Sequence, residues 1–294
     1  MYIAGIDIGG TNLKYGLFNE NGIRLYSRVV HSVCGQPEKT VLQIQELIAG
    51  SPMKPSLVGI GVPGTVVMPS GNVFSGNLKW PGVPFGKMLE EKCGLPVWMD
   101  NDAQTALAAE TLPGGSCYKL QSAVYLTLGT GIGGALLIGG RLWRGHDNGA
   151  AELGHFITHA GGLKCACGLR GCFEMYASAG ALARFSGGVR ARSVIDRVRS
   201  GDEKMKAALR AYANEVAIGI SSLYMIFRPQ AIVLGGGVSS AGEILGNEIL
   251  SCIGDGYNFT RETIQKALRF AKRGNDAGMA GAAALALMNL KKDR

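Results

Sequence analysis

The chain opens on an alternating run. Tyr2-Ile3-Ala4-Gly5-Ile6-Asp7-Ile8 reads as a strand, Gly9-Gly10-Thr11-Asn12 as a turn, and residues 13–18 as a second strand. Asn21-Gly22 marks a hairpin into a third strand at 23–30. The pattern then predicts a helix near 38–49, a buried strand at 57–62, a short helix at 84–93, a strand at 97–99 and an Ala-rich helix at 102–110. Beyond Pro113-Gly114-Gly115-Ser116, a candidate linker, the opening pattern returns. A strand at 123–128 meets the turn Gly129-Thr130-Gly131-Ile132-Gly133, a second strand covers 134–138, and Gly139-Gly140 leads into a third. The strand–Gly/Thr turn–strand unit of 3–18 thus recurs at 123–138, the mark of a duplicated domain. Leu209, Val216, Ile220, Leu223 and Phe227 fall at helical spacing in a long helix at 205–227, which Pro229 stops. A buried strand at 231–234 runs into Gly235-Gly236-Gly237, and an Ala-rich helix at 277–290 closes the chain. Helices alternating with short apolar strands argue for an α/β fold with a mixed sheet in each half.

Composition sharpens this picture. A length of 294 residues makes two domains the natural expectation, and 47% hydrophobic with 18% charged residues is a folding composition. The 45 glycines are about twice the usual share, yet only 10 prolines accompany them and no Gly-X-Y period runs through the chain. Collagen and low-complexity disorder are excluded, and the excess is assigned to tight loops. The net charge of +8 raises an anionic partner. It is concentrated at 184–210, where eight Lys/Arg face Asp196, Asp202 and Glu203; without interleaved aromatic residues this reads as one solvated helical face rather than a nucleic-acid patch. No apolar run is long enough to span a membrane, and the start lacks the basic region of a signal peptide, so a cytoplasmic protein is expected. With no export signal, seven cysteines point to metal binding rather than a disulfide framework.

The glycine loops carry chemistry as a pair. A G-x-G-x-x-G spacing occurs at 59–64 and at 129–134, but neither loop runs straight into a helix, so a dinucleotide fold is not supported. Asp7-Ile8-Gly9-Gly10-Thr11 and Leu128-Gly129-Thr130-Gly131 are each a buried strand ending in a Gly-Thr hairpin. Glycine lets backbone N–H groups approach an anion, and threonine adds a hydroxyl. Two such hairpins can hold successive phosphates, with Lys14 as a point charge and Asp7 holding magnesium through water. Asp102 follows the strand at 97–99 and opens a helix; it suits either a helix cap or a general base for an attacking hydroxyl. The most specific signal is His155-(x9)-Cys165-Ala166-Cys167-(x4)-Cys172, a closed Cys₃His set suited to structural zinc, with His159 as a rival fourth ligand. Glu152 and Glu174 flank the cluster, and carboxylates suit sugar hydroxyls.

These motifs, with Asn101-Asp102-Ala103, Glu152-Leu153-Gly154-His155 and Leu234-Gly235-Gly236-Gly237-Val238, stand in the order seen in the ROK (repressor, open reading frame, kinase) family, which the chain resembles from residue 3 to the helix after Asp276-Ala277-Gly278. The resemblance implies a two-domain actin-like (ribonuclease-H-like) ATPase fold with a cleft between domains: residues 1–115 plus 276–294 as the smaller domain, and 116–275 as the larger. It implies an ATP-dependent sugar kinase in which Asp102 is the base for the sugar 6-hydroxyl. Gly64, Thr65, Asn77, Asn101, Glu152, His155 and Glu174 would bind the sugar. Gly9, Gly10, Thr11, Lys14, Gly129, Thr130, Gly131 and the adenosine loop Gly235, Gly236 and Gly237 would bind ATP. His155 would serve zinc with one ring nitrogen and a sugar hydroxyl with the other. Domain closure would exclude water and bring the hydroxyl in line with the phosphate.

The family also implies a homodimer, while the absence of a long apolar run and of aromatic residues among the basic ones leaves no membrane or nucleic-acid partner expected. Two positions depart from its common pattern. Asp100 stands where many members have Glu, and Gln104 where glucokinases of this group usually have Asn; N-acetylmannosamine kinases resemble the chain at the latter. Glucose, N-acetylmannosamine and N-acetylglucosamine therefore all stay open as substrates. A sugar-responsive repressor of the same family would carry a winged-helix domain before the first glycine loop. With Asp7 so early, the expectation is the kinase.

Overall fold

In the computed structural model, which describes residues 1–68, 70–254 and 261–292, the alternating start forms an antiparallel meander. It consists of β1 (Tyr2–Ile8), β2 (Asn12–Asn19) and β3 (Arg24–His31). After α1 (Pro37–Ala49), β4 (Leu57–Val62) lies parallel to β1. Every residue of β4 is buried, which is why its sequence reads as an unbroken apolar run rather than an alternating one. A small sheet of β5 (Thr65–Val67), β6 (Asn72–Ser75) and β7 (Trp80–Val83) follows, then α2 (Phe85–Cys93), β8 (Val97–Asn101) and α3 (Asp102–Thr111). The main sheet has the order β3-β2-β1-β4-β8.

The second sheet repeats the plan. β9 (Ser122–Leu128) and β10 (Ile132–Ile138) form the hairpin, β11 (Arg141–Trp143) extends it, and β12 (Ala231–Gly235) lies parallel to β9. Between them run α4 (Glu174–Ala177), α5 (Ala179–Phe185), α6 (Ala191–Arg199) and α7 (Glu203–Phe227). After α8 (Glu243–Cys252) and α9 (Arg261–Ala267), β13 (Leu268–Phe270) completes the order β11-β10-β9-β12-β13, and α10 (Ala277–Lys292) ends the chain. The duplicated hairpin therefore marks two sheets of the same strand order. On α7, Leu209, Val216, Ile220 and Leu223 are buried as the helical spacing predicts.

The chain divides into two compact units: Met1–Tyr118 with Leu142–Ala150 and Arg273–Arg294, and Lys119–Arg141 with Ala151–Lys272. The segment Leu142–Ala150 was expected with the larger domain. It belongs to the first unit because Arg144 pairs with Asp100 at 2.7 Å and Asn148 Nδ2 donates to Val66 O at 2.9 Å. The candidate linker is equally fixed. Ser116 is buried, and its N–H donates to Glu110 Oε2 at 2.7 Å.

Two sequence expectations change. The glycine excess was assigned to loops, yet part of it lets helices approach strands. Gly5 and Gly59 face each other in the β1–β4 register, and a Cβ on either would lie 2.1 Å from Met279 O or 1.9 Å from Ala282 O in α10. The basic stretch 184–210 is not one helical face. It spans the end of α5, all of α6 and the start of α7, and Arg197–Asp202, Arg199–Asp196 and Lys206–Glu203 are paired. Among the described residues, no helix is long and apolar enough to cross a membrane.

Candidate active site and metal centre

In the first unit, the Gly9–Thr11 turn is braced from the end of β3. Ser32 Oγ donates to Gly9 O at 2.6 Å, Ser32 N–H to Thr11 O at 2.9 Å and Cys34 Sγ to Gly10 O at 3.0 Å. With its carbonyls held from behind, the turn leaves Gly10 and Thr11 exposed at its tip. Asp7 and Lys14 are cross-strand partners, and Lys14 Nζ lies 3.0 Å from Asp7 Oδ2. Read along the chain these two side chains have separate tasks; the structure joins them. Gly278, at the start of α10, is where a Cβ would lie 2.6 Å from Asp7 Cγ, so the positive end of that helix faces the carboxylate.

Asp102 is the first residue of α3, at the end of β8. The cap is its neighbour: Asn101 Oδ1 accepts from Ala103 N–H at 2.8 Å and from Gln104 N–H at 3.4 Å. Asn101 Nδ2 donates to Gly64 O at 2.9 Å, which joins two residues expected at the sugar. Gly64 has φ +114, and a Cβ there would meet Phe74 O at 2.2 Å, so only glycine fits. Asp102 is half-buried, and its Oδ1 accepts from Ala103 N–H at 2.8 Å. Thr65 opens β5, and Asn77 stands exposed in the β6–β7 turn. Gln104 is 2% exposed and donates to Trp143 O at 3.3 Å, so the position faces protein. The sequence did not reveal the Asp100–Arg144 pair: Asp100 adjoins a motif, but nothing around Arg144 singles it out.

In the second unit, Gly129 N–H donates to Gly131 O at 3.0 Å and Gly133 N–H to Thr127 Oγ1 at 2.8 Å, which sets the hairpin tip, with Thr130 exposed. Glu174 Oε2 accepts the Ile132 N–H at 2.9 Å, and a Cβ on Gly131 would lie 2.3 Å from that oxygen. Glu174 therefore reaches the phosphate-type hairpin as well as flanking the cysteines. Gly236 packs against Leu128 O, where a Cβ would lie at 2.6 Å, placing the Gly235–Gly237 loop beside the same strand end. Glu152 is exposed, and its carbonyl accepts the His155 N–H at 2.9 Å.

His155, Cys165, Cys167 and Cys172 converge, with their ligand atoms all within 4.8 Å of one another. Cys167 Sγ and Cys172 Sγ are 3.5 Å apart, and Cys165 Sγ is 3.6 Å from His155 Nδ1. A tetrahedral zinc with bonds of about 2.0–2.3 Å spans edges of about 3.3–3.8 Å, so the four residues fit that ion. Burial pushes the Cys172 thiol up to about 12, while the bond from the Leu169 backbone holds the Cys167 thiol below its usual range. A divalent ion would offset the burial penalty and keep all three sulfurs as thiolates. His159, the rival ligand, is committed elsewhere. Its Nε2 lies 3.5 Å from Glu215 Oε2 and its ring stacks on Tyr176 at 3.8 Å. Burial raises the Glu215 carboxyl above its usual range, with His159 opposing.

A model of the ROK family matches residues 3–289. The chain is 32% identical over 312 aligned residues to a glucokinase of Streptomyces coelicolor, across 96% of each protein. It is 30% identical to a xylose repressor of Bacillus spizizenii, across 85% of this chain and 68% of that protein. Among solved structures, a ROK family glucokinase from Streptomyces griseus in complex with glucose and AMPPNP is 31% identical. It covers 98% of this chain and 100% of its own, with a TM-score of 0.85. The two similar sheets are thus the halves of the actin-like ATPase fold.

Proposed function

The chain belongs to the ROK family, and from that membership we propose that it is an ATP-dependent sugar kinase that phosphorylates the 6-hydroxyl of a hexose or N-acetylhexosamine. What carries this reading is the match to a glucokinase through 96% of both chains. The local chemistry agrees. Asp102 opens α3 between an asparagine cap and a fixed strand, and a carboxylate so placed suits a base that takes the hydroxyl proton as the γ-phosphate is attacked. Asn101, Glu152, His155 and Glu174 would hold sugar hydroxyls, aided by Gly64, Thr65 and Asn77. The N–H groups of Gly9, Gly10, Thr11, Gly129, Thr130 and Gly131 would hold phosphates, and Gly235, Gly236 and Gly237 would receive the adenosine. Lys14 and Asp7, already paired at 3.0 Å, suit a phosphate oxygen and a hydrated magnesium respectively. Magnesium, when bound, supplies charge neutralisation of the transferring phosphoryl group.

The test is ADP release measured across a panel of hexoses and N-acetylhexosamines. Sugar-dependent release identifies the substrate, and none across the panel overturns the reading. Asp102→Asn should lower kcat by about 10²–10⁴-fold, the usual contribution of a general base, while calorimetry still detects sugar binding. Near-normal turnover in that variant removes Asp102 from the role. The repressor similarity supports a second reading, a sugar-responsive regulator, which sequence-specific DNA retardation on a gel would favour.

A further inference from the structure

Beside Asp102 lies an ion pair between a buried carboxylate and a half-buried arginine that the phosphoryl-transfer reading leaves without a task. Arg144 Nε and Nη2 both lie 2.7 Å from Asp100 Oδ2, and Asp100 is only 5% exposed. The other oxygen, Oδ1, accepts the Asn101 N–H at 2.9 Å. Asn101 in turn caps α3 and donates to Gly64 O. Asp102 therefore sits on a backbone fixed from both sides, by Asp100 before it and by the capped first turn after it.

The segment that supplies Arg144 is itself tied down. Gln104 Nε2 donates to Trp143 O at 3.3 Å, Asn148 Nδ2 to Val66 O at 2.9 Å and Met68 N–H to Asp147 O at 3.3 Å. All these contacts lie within the first unit.

We propose that Arg144 and Asp100 are positioning residues: the guanidinium orients the Asp100 carboxylate, which holds the Asn101 backbone and so fixes where Asp102 presents its oxygens. This inference rests on Asp102 being the base. A buried carboxylate without its cation turns toward water. That turn releases the Asn101 N–H and lets the α3 entry shift. The pair also forms part of the wall of a cavity of about 570 Å³, which Trp98, Lys87 and Asn148 share. Asp100 thus has space and water to turn toward once Arg144 is gone.

The same cavity makes the proposal testable by chemical rescue in the full-length protein. Arg144→Ala should lower kcat by about 10–100-fold while KM for sugar and for ATP stays within about 3-fold, as expected for misplacement of a reacting group rather than loss of binding. Millimolar guanidinium, but not the same concentration of sodium, should restore part of the activity. Amide exchange at residues 101–104 should quicken in the variant and slow again with guanidinium. An unchanged kcat, a loss that guanidinium does not restore, or unchanged exchange at 101–104 overturns the proposal. Should Arg144→Ala fail to fold, Arg144→Lys takes its place, with a smaller fall in kcat expected because one ammonium cannot make both contacts. The exchange measurement needs no turnover, so it decides the positioning role even if the wild-type protein phosphorylates no sugar and the kinase reading falls.

Discussion

Gly281 occupies a place in α10 where a methyl group has no room: a Cβ there would lie 1.6 Å from Thr105 O in α3. Helix propensity alone favours alanine over glycine by up to about 1 kcal/mol. Overlap with a backbone carbonyl works the other way, since overpacking costs about 1–3 kcal/mol. The collision is with backbone, not a flexible side chain, so overlap wins. Gly281→Ala should lower the melting temperature, and a variant that melts at or above wild type would show that α3 and α10 can separate freely. The convergence of His155 with the three cysteines was legible because their chemistry is rare in that spacing. Arg144 was not, because its partner lies 44 positions away and an arginine by itself carries no signal.

At the scale of elements, the metal knuckle and the second hairpin act as one piece. Cys172 closes the ligand set, Phe173 N–H donates to Phe156 O at 2.9 Å, and Glu174 reaches Ile132 N–H at 2.9 Å. Zinc should therefore steady the hairpin as well as its own loop. Elemental analysis should find one zinc per chain, and Cys167→Ser should lose it. A chelator should lower the melting temperature and quicken exchange of the Ile132 amide. Absence of stoichiometric zinc in purified protein counts against the knuckle, and an unmoved Ile132 amide counts against its link to the hairpin.

The elements themselves were largely readable: β4 and α7 lie close to where apolar run and helical spacing put them. The basic stretch was misjudged because charge on exposed faces says little about where one helix stops. Gly187-Gly188 and Ser200-Gly201 break it into three.

For the whole molecule, one buried carboxylate holds two distant parts of the first unit. Glu110 is fully buried; Oε2 accepts from Ser116 N–H at 2.7 Å and Oε1 from Arg273 N–H at 2.8 Å. Ser116 lies just before the chain first leaves this unit, and Arg273 is where it returns for the last time. Glu110→Ala leaves both N–H groups without that acceptor, at about 1–3 kcal/mol each, so unfolding in urea should show a loss of about 2 kcal/mol or more. A midpoint within error of wild type would mean that water replaces the carboxylate.

The sequence by itself determined the duplicated hairpin, β4, α7, the closing helix, the Cys₃His cluster as a candidate metal site and the family, because each rests on short-range periodicity or on rare residues at fixed spacing. Only the tertiary structure decided that Asn101 rather than Asp102 caps α3, that Lys14 meets Asp7, and that His159 belongs to Glu215. It alone placed residues 142–150 with the first unit and showed that some glycines serve helix packing. Those outcomes depend on which groups meet across long stretches of chain, where burial and partner geometry, not local pattern, set the free energy.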